Sequence, residues 1–114
     1  MIKIEGVDPK MIANNLTPFE PTHPGEIIKD EIEYRGLSQR KLAAQMGISP
    51  TLLNEILNGK RAVSAQYALL FEAALGTPAY IWVRMQTKYD MQAAKSDKSF
   101  LERLDNIRKL SAIL

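Results

Sequence analysis

Apolar residues recur along this chain at intervals of three and four, the period of a helix that buries one face. No alternating run of the kind that makes a strand rises above noise, and no internal repeat is visible. The first clear stripe is Ile27, Ile28 and Ile32, in a helix opened by Pro24 after Thr22-His23 and ended at Gly36. Leu42 and Ala43 mark the inner face of a second helix, and Leu53 and Ile56 that of a third. Ser64 caps a fourth, in which Ala68, Leu69, Phe71 and Leu75 turn inward before Gly76 closes it. Thr77-Pro78 repeats the cap-then-proline start, and Ile81, Trp82, Met85 and Tyr89 form the apolar side of a longer helix. Beyond a polar break at Ser96-Asp97-Lys98, a last stripe runs through Phe100, Leu101, Leu104, Ile107, Leu110 and Leu114.

The pattern predicts an all-α fold with five core helices between Pro24 and about Ala94. Three segments follow: an N-terminal arm over 1–20, a helical domain over 21–95, and a C-terminal amphipathic helix over 96–114. In the arm, Asp8 and Pro9 are set to cap and open a short helix to Asn15 anchored by Ile12 and Leu16. Thr17–Pro21, punctuated by proline, reads as extended.

The segment Ser38–Gly59 carries the sharpest local signals. Ser38 and Ser49 stand where N-caps are wanted, and Pro50 suits a first helical position. Gly47 can take the positive φ that ends a helix abruptly, Ala43 is small where two helices must cross closely, and Gly59 closes the second. Two short helices around such a turn occur in many all-α proteins. With the caps, the small crossing residue and a basic pair following, the combination favours a DNA-binding helix-turn-helix.

Composition narrows the field. The 114 residues allow one compact domain with extensions. The absence of cysteine excludes disulfides and thiolate metal sites, and a single histidine leaves little basis for a metal centre. No signal-peptide core and no run of about 18 apolar residues appears, so a cytoplasmic, non-membrane protein is expected. No cofactor and no catalysis are expected either, since there is no glycine-rich phosphate loop or nucleophile–base pair. His23, beside Pro24, reads as a cap or surface residue. The net charge of +2 is small but unevenly placed: between Arg35 and Arg61 the cations are Arg35, Arg40, Lys41, Lys60 and Arg61, and the only acid is Glu55. Just upstream, Glu26, Asp30, Glu31 and Glu33 outnumber Lys29.

In a helix-turn-helix the second helix enters the major groove with its N-terminal residues toward the base edges. With Leu53 and Ile56 inward, the outward positions are Ser49, Pro50, Thr51, Asn54 and Glu55, while Leu52 can flank the groove or complete the core. Thr51 offers a hydroxyl and a methyl, Pro50 can pack on a thymine methyl, Asn54 suits adenine, and Glu55 can accept from cytosine. A solvated helix face is an equal alternative for Asn54 and Glu55. Phosphate contacts are expected from Gln39, Arg40 and Lys41 at the start of the first motif helix, and from Asn58, Lys60 and Arg61 after the second. One such helix reads only a few base pairs, so a homodimer is expected, with the stripes at Ile81–Tyr89 and Phe100–Leu114 as available surfaces.

His23-Pro24-Gly25-Glu26-Ile27-Ile28, Gly36-Leu37-Ser38-Gln39, Leu57-Asn58-Gly59-Lys60-Arg61, Ala74-Leu75-Gly76-Thr77-Pro78 and Ile81-Trp82-Val83 through Tyr89-Asp90 resemble the HigA-type antitoxins, a branch of the lambda-repressor-like and Cro-like helix-turn-helix group. The resemblance covers about Pro21 to Ala94. It implies a five-helix lambda-repressor-like domain with two tasks. One is neutralising a RelE-like (HigB-type) endoribonuclease toxin. The other is repressing the protein's own operon by binding operator DNA as a dimer. The N-terminal arm and the C-terminal helix lie outside the common core, and one of them is expected to hold the toxin. A stand-alone repressor would share every DNA-facing feature, and a scaffold that has lost DNA binding would be consistent with Glu55 and the acidic first helix.

Overall fold

Polar side chains set the start of each helix in the first half of the protein. The computed structural model describes residues 22–113 and contains α1 (Pro24–Tyr34), α2 (Gln39–Met46), α3 (Pro50–Leu57), α4 (Ala65–Leu75), α5 (Ala79–Lys95) and α6 (Lys98–Ile113). Among the described residues there is no strand. His23 Nδ1 accepts from the Gly25 N–H (2.9 Å), Ser38 Oγ from Lys41 (3.4 Å), Ser49 Oγ from Leu52 (3.0 Å) and Ser64 Oγ from Tyr67 (3.2 Å). Each satisfies an amide that helix geometry leaves without an internal partner. The turn between α2 and α3 rests on Gly47, at φ 71°. There Ile48 N–H donates to Ala43 O and Gly47 N–H to Ala44 O, the paired bonds of a Schellman stop.

Residues 22–91 form one compact unit. Its core holds Ile28, Ile32, Leu42, Ala43, Met46, Leu53, Ile56, Leu57, Val63, Ala68, Phe71, Leu75 and Trp82. Helix α3 packs against both α1 and α2, and α2 also meets α4. Full burial of side chains such as Phe71, Leu53 and Ile56 contributes about 1.5–3 kcal/mol each, and α2, α3 and α4 supply most of the core between them. Gly25 allows the closest approach. A β-carbon there would fall inside the van der Waals envelope of the Ile56 carbonyl oxygen, so α1 and α3 meet backbone to backbone.

Two expected core residues point outward. Ile27 is 39% exposed and Leu69 57% exposed. Consecutive helical residues lie about 100° apart, so of Ile27-Ile28 only Ile28 is buried, and of Leu69-Leu70 it is Leu70 that packs against the core. Leu52, open between two roles, is half-buried against that core, as are Ile81 and Met85. Residues 92–113 belong to a second unit. It contains the end of α5 and all of α6, whose start is capped by Asp97 accepting from the Phe100 N–H. Phe100, Leu101, Ile107, Leu110 and Ile113 of α6 are exposed and Leu104 is half-buried. The helix expected at Pro9–Asn15, and Leu114, lie outside the described residues.

Candidate nucleic-acid interface

The cap at Ser49 sets where α3 begins, and burial of Leu53, Ile56 and Leu57 sets which side it turns outward. Ser49, Pro50, Thr51 and Asn54 are exposed on that outer side. Glu55 is half-buried and engaged: Arg61 donates to Glu55 Oε2 from Nε (3.2 Å) and from a terminal guanidinium nitrogen (3.0 Å). The acid expected to face the groove is thus paired with one of the cations expected to meet phosphate. Such a half-exposed pair contributes about 0–1 kcal/mol to stability and remains able to exchange partners.

Asn58 is exposed and caps the end of α3. Its amide donates to the Asn54 carbonyl (2.9 Å) and to Asn54 Oδ1 (3.1 Å), and its own Oδ1 accepts from Lys29 Nζ (3.3 Å). The bonds tie two expected DNA-facing residues to each other and bring in Lys29, a cation of α1 that the sequence did not single out. Next to it the exposed carboxylates Glu26, Asp30 and Glu33 line a groove with Leu57 and Asn58, so the positive surface ends there. Lys60 is exposed beyond α3, with its backbone N–H on Glu55 O (2.9 Å).

At the other end of the motif, Arg40 and Lys41 are exposed on the first turn of α2 and Gln39 is half-buried. Amides of a first helical turn, with the positive end of the helix dipole, favour an anion there. Among the described residues no cluster of three or more His, Asp or Glu is placed to hold a metal ion. No described helix is long and apolar enough to cross a membrane.

His23 is a cap, as one of its two expected roles has it, and it is not a surface residue, being 3% exposed. Tyr89 of α5 meets its ring edge-on at 4.9 Å, and a β-carbon added at Gly59 would just touch the same ring, at 3.5 Å. Desolvation lowers its pKa below the ordinary 6.5, partly offset by the charges of Glu26 and Asp90. Gln86, 7% exposed, is a second buried polar residue that the sequence did not flag. Its position on the inner face one turn after Trp82 is visible in the chain, but its partner is 23 residues away.

Comparison with known proteins places this geometry. A helix-turn-helix family profile matches residues 28–82. Virulence-associated protein I of Dichelobacter nodosus is 40% identical over 77 residues, 67% of this chain and 71% of that protein. This chain belongs to the helix-turn-helix family. Among solved structures, the helix-turn-helix protein is similar to an addiction module antidote protein of the HigA family from Coxiella burnetii (TM-score 0.66, 32% identity, 75% of this chain and 95% of that one). It is similar as well to Pseudomonas aeruginosa antitoxin HigA, solved with the higBA promoter (TM-score 0.65, 29% identity, 73% of this chain and 92% of that one). The helix-turn-helix protein therefore has the fold of DNA-binding antitoxins.

Proposed function

We propose that this protein is the antitoxin of a type II toxin–antitoxin module, which represses its own operon as a homodimer and neutralises a RelE-like, HigB-type endoribonuclease. The observation that carries the reading is the likeness to a HigA antitoxin solved with promoter DNA, joined to an exposed, capped outer face on α3. In this reading Ser49, Pro50, Thr51, Asn54 and Glu55 address base edges in the major groove, Glu55 through the carboxylate oxygen Arg61 leaves open. Gln39, Arg40, Lys41, Asn58, Lys60 and Arg61 meet phosphates on either side. The protein acts by binding and has no catalytic role.

The apolar side of α5 is largely taken up within its own unit, where Trp82 is buried and Ile81 and Met85 pack on the core. The exposed apolar residues of α6 offer a surface for assembly or for the toxin, and the N-terminal arm over 1–20 is the other candidate to hold the toxin. Co-expression with the small open reading frame beside its gene tests the proposal. A neighbour that stops growth alone, is rescued by this chain and co-purifies with it is the expected result. A harmless or non-binding neighbour overturns the antitoxin reading and leaves a stand-alone repressor.

A further inference from the structure

The segment Asn58–Val63 carries Lys60 and Arg61, and its two ends are held by different means. At its start the amides of Asn58, Gly59 and Lys60 close onto carbonyls of α3. At its end Val63 is 2% exposed, and its N–H donates to Gln86 Oε1 of α5 at 2.8 Å. The Gln86 amide could bind in either of two orientations, and only one offers oxygen to Val63. Asp90 Oδ1 selects it by accepting from Gln86 Nε2 at 2.9 Å, because a carboxylate can only accept. Nearer the start, Tyr89 of α5 meets the His23 ring edge-on, and that ring stands where a β-carbon added at Gly59 would just touch it, at 3.5 Å. Helix α5 is thus a platform under both ends of the basic loop.

A polar side chain in this place is not needed for packing. A leucine or methionine would fill the space beside Trp82 and leave only the Val63 N–H unanswered, which native folds avoid. We infer that Gln86 is a positioning residue for DNA binding, oriented by Asp90 to fix the loop that presents Lys60 and Arg61 to phosphate. The inference rests on the DNA-binding reading above.

The test uses the full chain and two duplexes, one from the region upstream of its gene and one of arbitrary sequence, with affinity followed by anisotropy at several salt concentrations. Gln86→Leu is expected to weaken binding to both by about tenfold. It should make the dependence of log K on log salt shallower by between about one and two, the share of one or two phosphate contacts. Lys60→Ala should then cost little further in that background, much less than it costs in the wild-type chain. Gln86→Glu places two carboxylates together and should behave like Gln86→Leu. Adding Asp90→Asn restores a donor to the new carboxylate, which still accepts from Val63, and should recover the wild-type slope. Asp90→Ala, at an exposed position, covers the case in which Gln86→Leu fails to fold: it should speed hydrogen exchange at the Val63 amide and reduce the slope. Folded variants with wild-type affinity and slope, or a double variant that does not recover, overturn the inference. A wild-type chain that binds neither duplex at 50 mM salt, where phosphate contacts are strong, overturns the DNA-binding reading and this inference with it.

Discussion

Replacing Gly25 with alanine would put a β-carbon where α1 and α3 touch through their backbones. The new atom would overlap the Ile56 carbonyl oxygen and lie 2.9 Å from its carbonyl carbon. Neither neighbour is a side chain that can swing away, so the helices must separate. Gly25 is not among the glycines with positive φ, so alanine suits its backbone. At an ordinary helical site the change would therefore stabilise by about 0.4–1 kcal/mol. Here overpacking of a filled core works the other way, at about 1–3 kcal/mol, and further strain falls on the His23 cap that Gly25 N–H supplies. A net loss of about 1.3 kcal/mol corresponds to a Tm lower by about 5–10 °C for a unit of this size. Thermal unfolding followed by far-UV circular dichroism measures it directly. A Gly25→Ala protein that melts at or above the wild-type temperature would refute the backbone contact between α1 and α3.

Other expectations concern charge, facing and recognition. Because His23 Nδ1 accepts a hydrogen bond and burial lowers its pKa, the unfolded chain takes up the proton first as pH falls below 6.5. The contribution of His23 is whole above that value and declines from there toward its lower folded pKa. Urea titrations between pH 7.5 and 5.5 should show a steeper loss for wild type than for His23→Asn, which keeps a capping acceptor without titrating; equal slopes would count against the buried neutral cap. Leu69→Asp should change stability by no more than about 0.5 kcal/mol, whereas Phe71→Ala should cost about 3–5 kcal/mol, both read from urea midpoints. A large loss at Leu69 would mean α4 is turned the other way. For DNA, Lys60→Ala should weaken all sequences alike and lower the salt slope by about 0.9, while Thr51→Ala should relax preference at one base position in a selection experiment. A uniform loss from Thr51→Ala would remove it from the base-reading set.

Helix ends were legible because their causes are local. Ser38, Ser49, Ser64, Pro24, Pro50, Gly47 and Gly76 each act within a few residues of their own position, and the helices start and stop where those residues stand. Which of two adjacent apolar residues faces inward was not legible at Ile27-Ile28 and Leu69-Leu70, since the choice depends on a few tens of degrees of helix rotation set by neighbouring helices. Met46 and Leu57 joined the core for a similar reason, each at the edge of a helix whose inner face the spacing marked only at its centre, while Val63 is buried from the loop after α3, where no helical period applies. Pairings were the least legible. Val63 with Gln86, Lys29 with Asn58 and Arg61 with Glu55 connect residues that only the tertiary fold, or a turn, brings together. The candidate interface was readable as a set of positions on α2, α3 and the loop after it, most of them exposed, but not as a network in which several of those positions hold one another.

The Arg61–Glu55 pair has a consequence for how such a surface can change over generations. Its two partners are not equivalent to lose. A substitution that removes the Glu55 carboxylate deletes an anion and releases a cation in one step, so on the proposed DNA-facing surface the grip on phosphate rises at once, at the expense of whatever base Glu55 reads. Removing the Arg61 guanidinium does the reverse, uncovering an acid toward the phosphates while withdrawing a positive charge. Between the same two sites, one order of substitution is open to a lineage under selection for tighter binding, and the other passes through a weaker intermediate.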